Sequence, residues 1–243
     1  MARPLDRRLD ELVAEAWPAP SAQDIGGWVL RHADGVTKRA NSVLPVDDPG
    51  DVDLAVEEAE RFYTALGLPT VFMMDAQARP EGLDEILAGR GYELVEPTIA
   101  MTADLSGPGE RERVDVMDAP SREWLDLWWS VDGRYDHQLP MAEKILTGVS
   151  AGYACVDGLA VGRGVPQGEW LGVYAMAVAP DARRRGLGRR VLRGLLGWGR
   201  ERGCERAYLV VVERNAPARA LYESEGFVQA GAYHYRVRNV TER

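Results

Sequence analysis

The sequence has few of the residues that would staple or metallate a fold. Cysteine occurs only at positions 155 and 204, each without a second thiol or a histidine at ligand spacing, so neither a disulfide framework nor a zinc site is expected, and no metal is implied. Both cysteines read as buried fillers. Long apolar runs are also missing: nothing approaches the ~18 to 20 residues of a membrane span, which excludes a membrane partner of that kind. The opening "MARPLDRRLDELVAEAW" lacks the apolar core of a signal peptide, and its Leu5, Leu9, Leu12, Val13, Ala16 and Trp17 recur at helical spacing. It reads as an amphipathic helix of a soluble, cytoplasmic protein. Positive charge is in deficit, with a formal net charge of −9, which argues against a nucleic-acid partner and favours cationic ones such as amines.

What is present is an ordinary apolar and charged content for 243 residues, enough for one large domain or two of about 120 each. The stretch "SGPGERER" (106–113) is the weakest for regular structure and places a boundary between domains 1–108 and 109–243. The second half reads as strand 114–117, helix 121–129, short helix 141–147, strand 152–156, an Asp157-Gly158 turn, and strands 159–165 and 170–179. Helix 187–202, strand 206–212, helix 216–224 and two closing strands follow. This is a mixed α/β layout. The first half echoes it. Residues 65–95 align with 201–231 with one gap: a helix ending at Gly67 or Gly203, an apolar strand, a loop, a helix, then "RGY" or "EGF". An Asp-Gly turn between apolar strands occurs upstream in both halves.

One local feature runs against the global charge. Between 183 and 193 stand six arginines, Arg183, Arg184, Arg185, Arg189, Arg190 and Arg193, around Gly186 and Gly188. A nucleic-acid patch would spread over a face, and a solvated helix face accounts for Arg190 and Arg193 but not for the glycines. A third reading uses them: a strand, a tight turn and a helix start direct free backbone N–H groups at one point, and the helix dipole adds about half a positive charge. A diphosphate fits such a seat. GxxxxGK[ST] is absent, and "GLGRRV" lacks the ending and context of a dinucleotide-binding fingerprint. The equivalent stretch of the first half, "VDDPGDVDLAVEEAERF", is acidic and could not hold the same anion.

"MAVAPDARRRGLGRRVLRGLLGWGRERG" followed by "AYLVVVERNAPARALYESEGF" resembles the GNAT superfamily of acyl-CoA-dependent N-acyltransferases. The shared pattern is an apolar strand, V-x-P, [QR]-x-x-G-x-[GA], and later N-x-x-A-x-x-L-Y-x-x-x-G-F. It covers 176–227 closely and 111–238 as a layout. The first half is similar to a degenerate copy, so the resemblance implies a tandem GNAT-like fold with one coenzyme site.

It further implies acetyl-CoA as co-substrate. Backbone groups of Met176, Ala177 and Val178 would meet the pantetheine arm. Arg183 fills the [QR] position, and Arg184, Arg185, Gly186, Leu187, Gly188 and Arg189 would wrap the pyrophosphate. Asn215 matches the asparagine beside the pantetheine and is also a plausible N-cap of the next helix. Tyr222 matches the tyrosine that protonates the leaving thiolate; by spacing alone it is equally a core aromatic.

The resemblance implies direct attack of a neutral primary amine, of a small molecule or peptide. A lysine-type amine of pKa ~10.4 costs about 4.6 kcal/mol to deprotonate at pH 7, and an α-amine about 1. Relatives that acetylate ribosomal-protein N-termini often carry a glutamate twelve residues before the tyrosine, whereas this chain has Val210. Base candidates are Glu169 and Tyr174, then Glu213, Asp136 and His137. Residues 128–140, "WWSVDGRYDHQLP", correspond to the family's variable substrate wall, although Trp128 and Trp129 also suit a core. The alternative function is a CoA-binding regulator without chemistry. A homodimer is compatible with the sequence.

Overall fold

The computed structural model describes residues 7–107, 112–133 and 136–239. Leu5, residues 108–111 of the boundary stretch, residues 134–135 of the substrate-wall segment and the side chain of Asp136 lie outside this description. Among the described residues no helix is long and apolar enough to cross a membrane.

The first half runs α1 (Leu9–Ala16), β1 (Ser21–Ile25), β2 (Trp28–His32), β3 (Val43–Pro45), α2 (Val52–Ala65), β4 (Thr70–Asp75), α3 (Leu83–Gly89) and β5 (Glu93–Asp104). The second runs β6 (Val116–Met117), α4 (Arg122–Asp132), α5 (Leu139–Thr147), β7 (Gly152–Val156), β8 (Ala160–Gln167), β9 (Trp170–Val178), α6 (Leu187–Glu201), β10 (Arg206–Val212), α7 (Ala216–Ser224) and β11 (Val228–Arg238). Contacts divide these into an N-terminal unit, Arg7–Ile99 with Val212–Arg214 and the chain from Gly231 on, and a C-terminal unit containing Ala100–Val211 and Asn215–Ala230.

The expected two closing strands are a single strand, β11. No turn residue interrupts Val228–Arg238 strongly enough to break it, and its far half, from Gly231, belongs to the N-terminal unit. There Tyr233–Arg238 pairs antiparallel with β4, completing the order β1-β2-β3-β4-β11. In the C-terminal unit the order is β5-β10-β9-β8-β7-β6. Each unit therefore takes its last strand from the segment that follows the other unit's last helix.

Burial follows the periodicity in both. Trp28, Leu30, Val43, Phe72 and Met74 project from alternate strand positions onto Val56, Ala59 and Tyr63 of α2 and Leu83 and Leu87 of α3, each large side chain contributing roughly 1.5 to 3 kcal/mol of apolar burial. In the C-terminal unit α6 buries Val191, Leu192 and Leu195, and α4 buries Trp124, Leu125 and Trp128. Ser121 caps α4 by accepting from the Trp124 N–H, and the Trp124 indole N–H donates to the Ala154 carbonyl at 2.9 Å. Cys204 is buried and Cys155 half-buried, both free.

The repeat is visible element by element along the chain: α2, β4, α3, β5 in the first half and α6, β10, α7, β11 in the second. Tyr92 N–H donates to Leu87 O and Phe227 N–H to Tyr222 O, each at 3.0 Å, so the helix ends are built alike. The Asp-Gly turns are less equivalent than their sequences imply. Asp157-Gly158 joins β7 directly to β8, whereas Asp34-Gly35 begins a longer connection from β2 to β3 through a short 3-10 turn at Lys38–Ala40.

Candidate active site

The arginine turn begins where β9 ends. Pro180–Ala182 forms one 3-10 turn, and two residues then adopt left-handed backbone, Arg184 at φ +59° and Gly186 at φ +78°. Gly186 is the N-cap of α6 and provides no side-chain cap. At the N-cap, Arg190 N–H donates to Gly186 O at 3.1 Å. The preceding N–H groups are thus the orphan donors that any helix start presents, here turned to one side by alternating hand. A side chain at Gly186 would force a residue with a Cβ into left-handed backbone. Gly186 is limited by its backbone and not by space, since nothing lies within 4 Å of an added Cβ; at Gly188 an added Cβ would make ordinary contact, 3.5 Å from Val178 and from Leu221, between the end of β9 and α7.

The strand leading into the turn is irregular. β8 and β9 pair in register from Gln167↔Trp170 to Arg163↔Tyr174, then resume one residue out of step at Val161↔Ala177. The additional residue on β9 is accommodated at Ala175, which has φ +50°, a β-bulge of the kind that bends its strand. On the other side, parallel pairing of β9 with β10 spans Trp170–Val173 with Arg206–Leu209, while both strands continue beyond it. A seam therefore opens between Met176–Val178 and Val210–Val211, leading to the start of α6.

Tyr222 sits on α7, almost fully buried, with its ring 6.1 Å from that of Phe227. Burial, with a smaller contribution from the Asp132 charge, pushes its phenol up to about 12. Asp132 ends α4, where its Oδ2 accepts from the Trp128 indole N–H at 3.0 Å. Asn215 is exposed and caps α7, its Oδ1 accepting from the Ala218 N–H at 3.3 Å.

A family model described as "Probable histone acetyltransferase Rv0428c C-terminal" matches residues 6–239. The chain belongs to that family. Its sequence is 32% identical over 255 residues to the uncharacterized N-acetyltransferase YobR of Bacillus subtilis, covering 96% of this chain and 98% of the relative. It is also 32% identical over 230 residues to the probable histone acetyltransferase Rv0428c of Mycobacterium tuberculosis, covering 91% and 70%. A solved tandem GNAT protein from the clavulanic acid biosynthesis pathway superposes with TM-score 0.60 at 12% identity, over 100% of this chain and 90% of that one, a likeness of fold. The protein is thus an acyltransferase with a tandem GNAT fold.

Within this acetyltransferase the six arginines separate into two sets. Arg183, Arg184 and Arg185 are exposed, and their guanidinium groups make no hydrogen bond or ion pair among the described residues, although the Arg183 N–H donates to Pro180 O at 3.4 Å. Arg189, Arg190 and Arg193 are engaged. Arg190 pairs with Glu112 at 3.0 Å and Asp157 at 2.8 Å. Arg193 grips Glu225 through two nitrogens, at 2.7 and 3.1 Å, and Arg189 meets the same carboxylate at 2.8 Å and Ser224 Oγ at 2.9 Å. Arg190 thus lies on a solvated face, paired with the exposed Asp157 and the half-buried Glu112, whereas the reading of Arg193 as solvated is corrected, since it is held by the enclosed Glu225 carboxylate.

The base candidates are not brought to the seam as a group. Glu169 precedes β9, roughly 20 Å of extended strand before Ala175, and its carboxylate pairs with Arg206 at 2.7 Å. Tyr174 is buried, with its hydroxyl 2.9 Å from that of Tyr208, which donates to Gln167 Oε1. His137 and Glu213 are exposed. The sequence reading missed the Ala175 bulge, Glu225 and Asp132. Only Asp132 had a usable signal, four residues after Trp128 on one helix face.

Proposed function

We propose that the C-terminal unit transfers an acetyl group from acetyl-CoA to a primary amine of a small molecule or peptide. The observation that carries this reading is the seam between β9 and β10 running into the uncapped start of α6, beside the helix that bears Tyr222. An anionic diphosphate matches the orphan N–H groups of residues 184 to 189 and the dipole behind them, with the Arg183, Arg184 and Arg185 side chains adding charge around it. An extended amide-bearing arm matches the strand edge Met176–Val178. Asn215 keeps its amide nitrogen available while its oxygen caps α7. When bound there, acetyl-CoA supplies a thioester carbonyl to the amine.

The residues then have separate tasks. Tyr222 holds a proton that it donates to the sulfur as the C–S bond breaks and the N–C bond forms; the acylated nitrogen then releases its surplus proton to solvent, and the phenolate takes one up again. Its elevated pKa keeps the phenol protonated through neutral pH, and the desolvation that raises it acts equally on a thiolate leaving in the same site. Asp132, whose charge acts on Tyr222, lies where a cationic amine can be held before it loses its proton to solvent or to the carboxylate.

Thiol release measured against a panel of amines tests the function. Amine-stimulated release of CoA is expected. Acetyl-CoA binding without it would instead favour the regulator reading. Tyr222→Phe should lower kcat about ten-fold or more at little cost to acetyl-CoA affinity, and wild-type activity should not decline between about pH 8 and about pH 10, where an ordinary phenol would begin to ionise. Unchanged turnover in the phenylalanine variant removes Tyr222 from the mechanism.

A further inference from the structure

Glu225 receives two arginines from successive turns of one helix, and its side chain is only 8% exposed. Most surface ion pairs add little because water screens them and the side chains lose freedom. This carboxylate is enclosed, and both its oxygens are bonded: Oε1 to Arg189 and Arg193, Oε2 to Arg193. Enclosed bidentate pairs of this kind fix geometry more firmly than exposed contacts. The positions of the partners matter as much as their number. Glu225 is the C-cap of α7, three residues after Tyr222, and its N–H returns to Leu221 O and Tyr222 O. Arg189 belongs to the anion turn, and Arg193 stands one helical turn further along α6.

We infer that Glu225 is a positioning residue that ties α7 to the coenzyme turn and thereby sets where the Tyr222 hydroxyl stands relative to the bound thioester. The inference rests on the proposed role of Tyr222 as proton donor. Without the clamp, α7 still packs through Leu221, Tyr222 and Phe227, but its tilt against α6 is no longer fixed by charge. Displacement of a catalytic group by about 1 Å costs up to about a hundred-fold in rate, so the clamp acts on turnover more than on coenzyme affinity.

A double-mutant cycle tests this in the full-length chain with acetyl-CoA and the best amine of the panel. Glu225→Ala is expected to lower kcat about ten-fold or more while KM for acetyl-CoA stays within about three-fold. In the Tyr222→Phe background the same substitution should cause almost no further loss, because both changes remove one proton donation. Glu225→Gln, which keeps the shape and one acceptor, should fall between wild type and Glu225→Ala, and replaces it in the cycle if thermal melting shows that the alanine variant does not fold. The inference is overturned if the Glu225 loss multiplies with that of Tyr222→Phe, or if it appears in KM alone. Full activity of Glu225→Ala beside an impaired Tyr222→Phe overturns the clamp only; full activity of Tyr222→Phe overturns the proton-donor reading on which the clamp depends.

Discussion

Helices α2 and α6 begin at equivalent places in the two units, after a strand and a turn, yet their first N–H groups meet opposite fates. At α2, Asp51 caps the helix by accepting from the Leu54 N–H at 3.0 Å, and Asp47 and Asp48 take the N–H groups of Asp48 and Gly50 at 2.8 Å. At α6, glycine stands where Asp51 does, and no side chain among the described residues accepts at its cap. The acidic start is satisfied by its own side chains, whereas the glycine start leaves its N–H groups open to the anion proposed above. A second difference lies at the following helix, where Leu87 holds the position that Tyr222 holds in the other unit. On the proposed function, the same backbone serves as scaffold in one copy and as site in the other, decided by which atoms terminate the helix.

The sharpest way to break this comparison is to make α6 resemble α2. Gly188→Asp places a carboxylate in the first turn of α6, where it favours the helix but opposes a diphosphate. Acetyl-CoA binding by calorimetry should vanish while the melting temperature holds; retained binding would refute the anion seat. Arg184→Gly is milder. It removes one exposed charge and also relieves a left-handed non-glycine residue that costs about 1 kcal/mol, so affinity should fall by no more than about three-fold. A loss as large as that of Gly188→Asp would shift the weight from backbone to side chains. Asp51→Ala should cost about 1 kcal/mol of stability in denaturant titration and leave kcat unchanged; a fall in turnover would give the acidic start a catalytic part.

The smallest effect concerns a charge confined to the N-terminal unit. Hydrogen bonding from Arg236, helped by His234 and opposed by burial, holds the Asp84 carboxyl at about 2. Its folded pKa lies below the ordinary carboxylate value of about 3.9. The stabilisation is therefore complete above that value and is lost as pH falls from about 4 through about 2. Asp84→Asn should flatten the acid limb of the melting curve over that window. An unchanged limb would show that other carboxylates govern it.

Much of this was legible in the sequence because the signals were local. The apolar periods of α2, α6 and α7 and the glycines at helix ends lie within a few residues of what they specify, and so does the turn around Gly186. Features set by distant partners were not legible. The stretch "LGVYAMAVAP" is uniformly apolar and small, so nothing marks Ala175 as the residue that slips the register. Glu225 looks like any surface acid in "YESEGF" until α6 brings Arg189 and Arg193 against it. Glu169 looked well placed because it precedes the coenzyme strand, but direction along a strand is not proximity to its far end. The exchange of β5 and β11 depends on pairings that no local pattern encodes.

The bulge at Ala175 also bears on how the protein avoids sticking to itself. Where β9 and β10 part, the sheet gains two unpaired edges in its middle, and such edges are templates for a foreign strand and hence for aggregation. A bulged, bent edge is a poor template, because an incoming straight strand can match its pleat for only a residue or two. The irregularity that opens the seam proposed for the coenzyme arm therefore also protects its edges from foreign strands.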